Sequence, residues 1–176
     1  RQVIISAGTI TSPVLPTRSD AELAASAQAV DQIAVRFGDA RVVELRAVVD
    51  PRLVPSPVGV ETIRLDRRGG DGDGFAVFVA SDALLDALAL HPPPGFEVIS
   101  SETGPIDYGA VVDPLTGLHP PRPVTNVTNV ERGYTSLPSS LINPRVIAQR
   151  GWTTTTAGWL IEAPARLPDR RLVEHN

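Results

Sequence analysis

The chain has 176 residues, 42% of them hydrophobic and 20% charged, with a formal net charge of -4, which describes an ordinary globular protein and gives no electrostatic reason to expect a nucleic-acid partner. It contains no Cys and no Met, and every basic side chain other than histidine is Arg. Thiolate nucleophiles, thiolate zinc sites and disulfides are therefore excluded, and so are a Walker lysine and a Schiff base.

The length suits one domain, residues 1–176, with possible subdomains 1–80 and 81–176. The first residues are Arg1-Gln2-Val3-Ile4-Ile5 rather than a start Met, so an excised or processed segment is expected. No apolar run approaches the roughly 18 residues that span a bilayer.

In chain order, Arg1 to Ile10 alternates weakly and reads as an entry strand, broken by Ser12-Pro13 through Pro16. Ser19 with Glu22 forms a capping box, and Leu23, Val30, Ile33, Ala34 and Phe37 then recur at helical spacing until Gly38, which predicts a helix over Asp20 to Phe37. Val42 to Val49 is rich in β-branched residues and ends at Asp50-Pro51, as a strand does before proline. Val60 to Leu65 alternates and reads as a strand. The glycine-rich turn 67–74 then leads into Phe75 to Ala80, a continuous apolar strand expected to pair back as a hairpin.

Ser81-Asp82 caps a short second helix with Leu84, Leu85, Leu88 and Leu90 on its apolar face, ended by His91 and three prolines. Strands are expected over Phe96 to Ile99, Ile106 to Val112 and Val124 to Val130. A third helix spans Pro144 to Arg150, with Asn143 as cap and Pro at its first position. Ala157 to Ala163 is the last strand, and Pro168 to Glu174 begins a further helix. The 17 prolines fall at element ends, favouring short strands and stiff loops. The fold class is α+β, with short mixed or antiparallel strands and about three to four helices.

Residues that could carry chemistry are few. His91, His119 and His175 have no metal-ligand spacing and read as solvated loop histidines. Ser136, Ser139 and Ser140 lie in a turn-rich segment without a nucleophile elbow, and read as turn or cap residues. Asp66, Asp71 and Asp73 gather oxygens on one loop but lack the full calcium-loop spacing and its distal Glu, while Arg67 and Arg68 oppose a cation. Asn126-Val127-Thr128 matches the glycosylation sequon, a pattern common by chance. Trp152, Trp159, Tyr134 and Tyr108 are read as core aromatics. These residues leave no catalytic, cofactor-binding or metal site to nominate and no cofactor to expect.

Arg132-Gly133-Tyr134-Thr135-Ser136-Leu137-Pro138, then Ser140-Leu141-Ile142-Asn143-Pro144, Gly151-Trp152 and Gly158-Trp159-Leu160-Ile161-Glu162-Ala163-Pro164 form one ordered unit. It resembles a segment in the large extracytoplasmic domain of FtsX-like, MacB-related ABC transporter permeases of high-GC Gram-positive bacteria. Val79-Ala80-Ser81-Asp82-Ala83-Leu84-Leu85-Asp86-Ala87-Leu88 resembles the stretch that precedes it there; the first seventy residues match only in general character. The resemblance implies a non-enzymatic domain at the extracytoplasmic face of the cell membrane, set between two membrane helices, with its two chain ends close together. Its implied partners are the transmembrane part of the same permease, a cytoplasmic ABC ATPase and a second permease copy, with no nucleic acid. A free-standing secreted module binding carbohydrate or protein fits the same composition, and a Ser/Asp/His hydrolase is a more distant reading.

Overall fold

The structure, a computed structural model, describes residues 2–6, 14–38, 40–52, 59–67, 75–100, 106–108, 112–113, 117–118, 122–129 and 140–162. Strands β1 (Gln2–Ser6) and β2 (Val14–Leu15) precede helix α1 (Asp20–Arg36) and the long strand β3 (Arg41–Val49). Next come β4 (Val60–Glu61), β5 (Arg64–Arg67), β6 (Phe75–Ala76), β7 (Phe78–Val79) and helix α2 (Asp82–Ala87). Five short strands follow: β8 (Val98–Ser100), β9 (Ile106–Tyr108), β10 (Val112–Asp113), β11 (Gly117–Leu118) and β12 (Arg122–Pro123). The described chain closes with β13 (Val127–Asn129), β14 (Ser140–Ile142), helix α3 (Pro144–Arg150) and β15 (Thr153–Glu162).

The α+β expectation holds. A seven-stranded sheet in the order β1-β15-β3-β7-β14-β8-β13 is the backbone of the molecule, and it is mixed: β7 and β14 run parallel, as do β8 and β13, while the other neighbours are antiparallel. A four-stranded antiparallel sheet, β12-β9-β5-β6, and two small ribbons, β2-β4 and β10-β11, complete the described strands. The large sheet takes strands from both sides of residue 80. Most strands are short, but β3 and β15 pair over nearly their whole lengths, with a bulge between Thr156 and Gly158 that leaves Ala157 as the extra residue.

Alternation along β3 divides the core. Val43, Leu45 and Ala47 point to one face and pack with Phe78, Leu141 and Ile99 beneath Leu84 and Ala87 of α2. The opposite parity serves the other face. There Val48 joins Val98, Ile142 and Trp152 under Val146 and Ile147 of α3, and Val42 joins Trp159 and Ile161 under Val30 and Ala34 of α1. Helices thus cover both faces of the sheet, α2 on one and α1 with α3 on the other.

Each helix has the local signals its sequence carries. The Ser19–Glu22 capping box of α1 is formed, and Gly38 follows at a φ of 77°. Leu84 N–H donates to Ser81 Oγ at the start of α2, and Arg145 N–H to Asn143 Oδ1 at the start of α3. Helix α2 ends in a Schellman motif, with Leu90 N–H bonded to Leu85 O and Ala89 N–H to Asp86 O, and its left-handed position holds Ala89 at a φ of 52°. At Gly59 the reason for glycine is proximity, since a Cβ there would lie 2.1 Å from the carbonyl oxygen of Leu15.

Expected strands divide: Val60 to Leu65 splits into β4, in the ribbon with β2, and β5, in the four-stranded sheet, and a second strand splits as well. Phe75 to Ala80 is not continuous: it breaks at Val77, with β6 in the small sheet and β7 in the large one. Val77 bonds to neither ladder in the regular way, its N–H donating to Ile63 O and its carbonyl accepting from Val48 N–H. This one residue passes the chain between sheets. The hairpin expected across 67–74 forms, with Arg64 opposite Ala76 and Leu65 opposite Phe75. The last strand starts at Thr153, four residues earlier than expected, and the helix expected over Pro168 to Glu174 lies outside the described residues. None of the helices in the described residues is long and apolar enough to cross a membrane.

Candidate functional site

Charged side chains are partly sequestered at two places in the described structure, and both touch the segment around α3. Glu97 precedes β8 and is buried at 8% exposure. Its Oε2 accepts from Thr125 N–H at 3.0 Å and Thr125 Oγ1 at 2.8 Å, while its Oε1 accepts from Arg150 Nη2 at 3.0 Å. The Arg150 guanidinium also lies over the Trp152 ring, 5.3 Å from the centroid.

Helix α3 is fastened to the same short segment at both ends. At its start, Asn143 Nδ2 donates to Phe96 O at 3.1 Å and Asn143 N–H to Glu97 O at 3.0 Å; at its end, Arg150 reaches the Glu97 carboxylate. Gly151, at a φ of 65°, then turns the chain so that Trp152 tucks under the helix into the core.

The second place is the end of β3. Asp50 is buried and accepts from Arg52 N–H at 3.0 Å and Arg52 Nε at 2.7 Å, with Arg52 Nη2 completing a bidentate pair. These hydrogen bonds from Arg52 hold the Asp50 carboxyl below the ordinary carboxylate range against the opposing effect of burial, and the neighbouring Trp152 side chain adds in the same direction.

Chemically, these groups are engaged rather than available. Thr125 and Arg150 occupy three of the roughly four acceptor positions of the Glu97 carboxylate. The arrangement clamps α3 onto the sheet.

A different surface lies between α1 and α3. Glu44 and Arg46 on β3 share the face of Val42 and Val48 but stay exposed. Across from them on β15, Thr156 Oγ1 donates to Glu44 Oε1, and Arg46 Nη2 reaches Thr154 O. Among the described residues, this strip of one acid, one base and hydroxyls lies on that sheet face with Glu44 and Arg46 exposed.

The residues weighed in the sequence are dispersed. His91 is exposed after α2; His119 and His175 lie outside the described residues. Ser136 and Ser139 also lie outside, while Ser140 is buried on β14 opposite Ser100, with no hydrogen bond from its Oγ. It sits in a strand, not in the turn expected. Asp66 is on β5, and Asp71 and Asp73 lie outside; among the described residues no group of three or more His, Cys, Asp or Glu could hold a metal ion. Asn126 is exposed just before β13. Trp152 and Trp159 are buried, each in a separate cluster. Tyr108 is on β9, and Tyr134 lies outside.

Sequence reasoning missed Glu97, Arg150, Asp50, Arg52 and Thr125 as a charged framework. One signal was present: Glu97 is a lone acid between Phe96 and Val98-Ile99, in a stretch read as strand. No family model, no curated protein and no solved structure matches this chain.

Proposed function

We propose that this chain is a non-catalytic extracytoplasmic domain of an FtsX-like, MacB-related ABC transporter permease. It would couple a cytoplasmic ATPase to export, substrate handling or partner docking outside the membrane. The observation that carries the reading is the pairing of its first and last described strands. β1 and β15 lie side by side and antiparallel, with Gln2 opposite Glu162, so the start of the first described strand and the end of the last lie at one end of one sheet. A domain inserted between two neighbouring membrane spans requires that arrangement, because both connections must reach adjacent helices.

Two further features support it. The segments that carry the resemblance include β7, α2, β14, α3 and β15, the middle of the large sheet and two of its covering helices, so the resemblance follows the framework rather than a surface loop. The sequestered charges at Glu97 and Asp50 are bound to Arg partners, which suits a body that transmits motion without deforming.

The test is the parent reading frame and its neighbours. Apolar spans of about 20 residues on both sides, beside an ATPase gene, are the expected result; a short secreted gene with neither overturns the proposal. That second outcome would favour a free-standing secreted binding module, for which exposed Glu44 and Arg46, with half-buried Thr154 and Thr156 beside them, are the candidate surface.

A further inference from the structure

We infer that Trp152 links the two sequestered charge pairs, Glu97 with Arg150 and Asp50 with Arg52, into one unit, so that the exposed turn after β3 and the C-terminal end of α3 are held and released together. Register places the partners. In the β3–β15 ladder Thr153 is opposite Val49, so Asp50 and Trp152 are the next residues along, neighbours just past its end, and both are buried. The Trp152 ring also carries the Arg150 guanidinium, 5.3 Å from its centroid, and Arg150 in turn holds Glu97.

Chemistry and chain geometry make this a linkage rather than two separate clamps. Trp152 helps to hold the Asp50 carboxyl ionised, and its one polar group is the indole N–H. A carboxylate at that edge leaves the ring richer in electrons, which strengthens its attraction for the Arg150 cation on its face. Gly151 is the sole residue between Arg150 and Trp152, and the N–H groups of Gly151 and Trp152 close the end of α3 on Ala148 O and Ile147 O. Displacing the indole therefore pulls on the helix end. Arg52 is the accessible member of the chain, its side chain 62% exposed, so a change at that surface is passed to α3 through buried groups. The linkage does not depend on the permease reading.

The experiment is a double-mutant cycle on folding stability in the 176-residue chain, combining Asp50→Asn with Arg150→Gln and repeated in a Trp152→Phe background, which keeps a ring and loses the N–H. The exposed Arg145 of α3 supplies the control, Arg145→Gln. The double variant is expected to be more stable than the two single losses predict, by at least about threefold in the folding equilibrium constant, with the excess lost in Trp152→Phe and absent with Arg145→Gln. Additive losses for Asp50→Asn and Arg150→Gln overturn the linkage, and an excess that survives Trp152→Phe undiminished overturns the part given to Trp152.

Amide exchange supplies a second measurement that leaves Trp152 intact, should Trp152→Phe fail to fold. Arg52→Gln is expected to speed exchange at Gly151 and Trp152 about threefold more than in α1. Equal changes in the two helices would show that the turn and α3 are not joined.

Discussion

Arg150 serves two partners, closing the Glu97 carboxylate and stacking on Trp152. Removing it takes the Arg150 guanidinium away from a buried carboxylate, which costs more than losing an exposed pair. Arg150→Ala is therefore expected to destabilise the fold by about 3 kcal/mol, read as a lowered denaturation midpoint. Adding Glu97→Gln should recover part of that loss, because the stranded charge is gone; a double variant as unstable as the sum of the singles would contradict the role given to the pair. Asp50 yields a pH prediction. Its folded-state pKa lies below the unfolded value, so its contribution is full above about pH 4 and is lost as pH falls through the folded value. Wild type should exceed Asp50→Asn by about 1 kcal/mol at pH 7, a modest figure because the Arg52 side chain is 62% exposed, and the gap should close as pH falls through the folded-state value. A gap that persists in acid would mean that something other than this charge is responsible.

The helices were legible because the signals that start and stop them lie within a few residues: Ser19 with Glu22, Ser81, and Asn143 with Pro144. Strands were legible where the residues are β-branched, as in β3, and less so where partners decide. Nothing local marks Val77 as the residue where one strand ends and another begins, since the break depends on Ile63 and Val48 arriving from elsewhere. Thr153–Thr156 lacks the apolar run that marks the rest of β15, although threonine itself favours strand. The Glu97–Arg150 pair spans 53 residues, and each member alone reads as a solvated charge. The helix ends also supply a comparison. The left-handed positions after α1 and α3 hold Gly38 and Gly151, whereas α2 places Ala89 there. A side chain in that conformation costs about 1 kcal/mol, so Ala89→Gly should raise stability by about 0.5–1 kcal/mol. Denaturant titration checks this, and a neutral or destabilising result would show that the Ala89 methyl contributes packing which offsets the strain.

For the molecule as a whole, β15 is the organising strand, with β1 on one side and β3 on the other. Deleting residues 1–6 removes the five paired positions of β1 and turns Gly158 to Glu162 of β15 into an open edge. The shortened chain should self-associate, seen as a mass above that of the monomer in light scattering, because long unpaired edges recruit other strands. A monodisperse monomer of unchanged stability would show β1 to be dispensable. The position of β15 also imposes an order in time. Among the described strands β1 pairs only with β15, so it waits for its partner until the strand that ends at Glu162 has been made. A chain emerging from the ribosome or from a translocation channel must therefore carry its opening strand unpaired across more than 140 residues before closing, which makes folding slow and late.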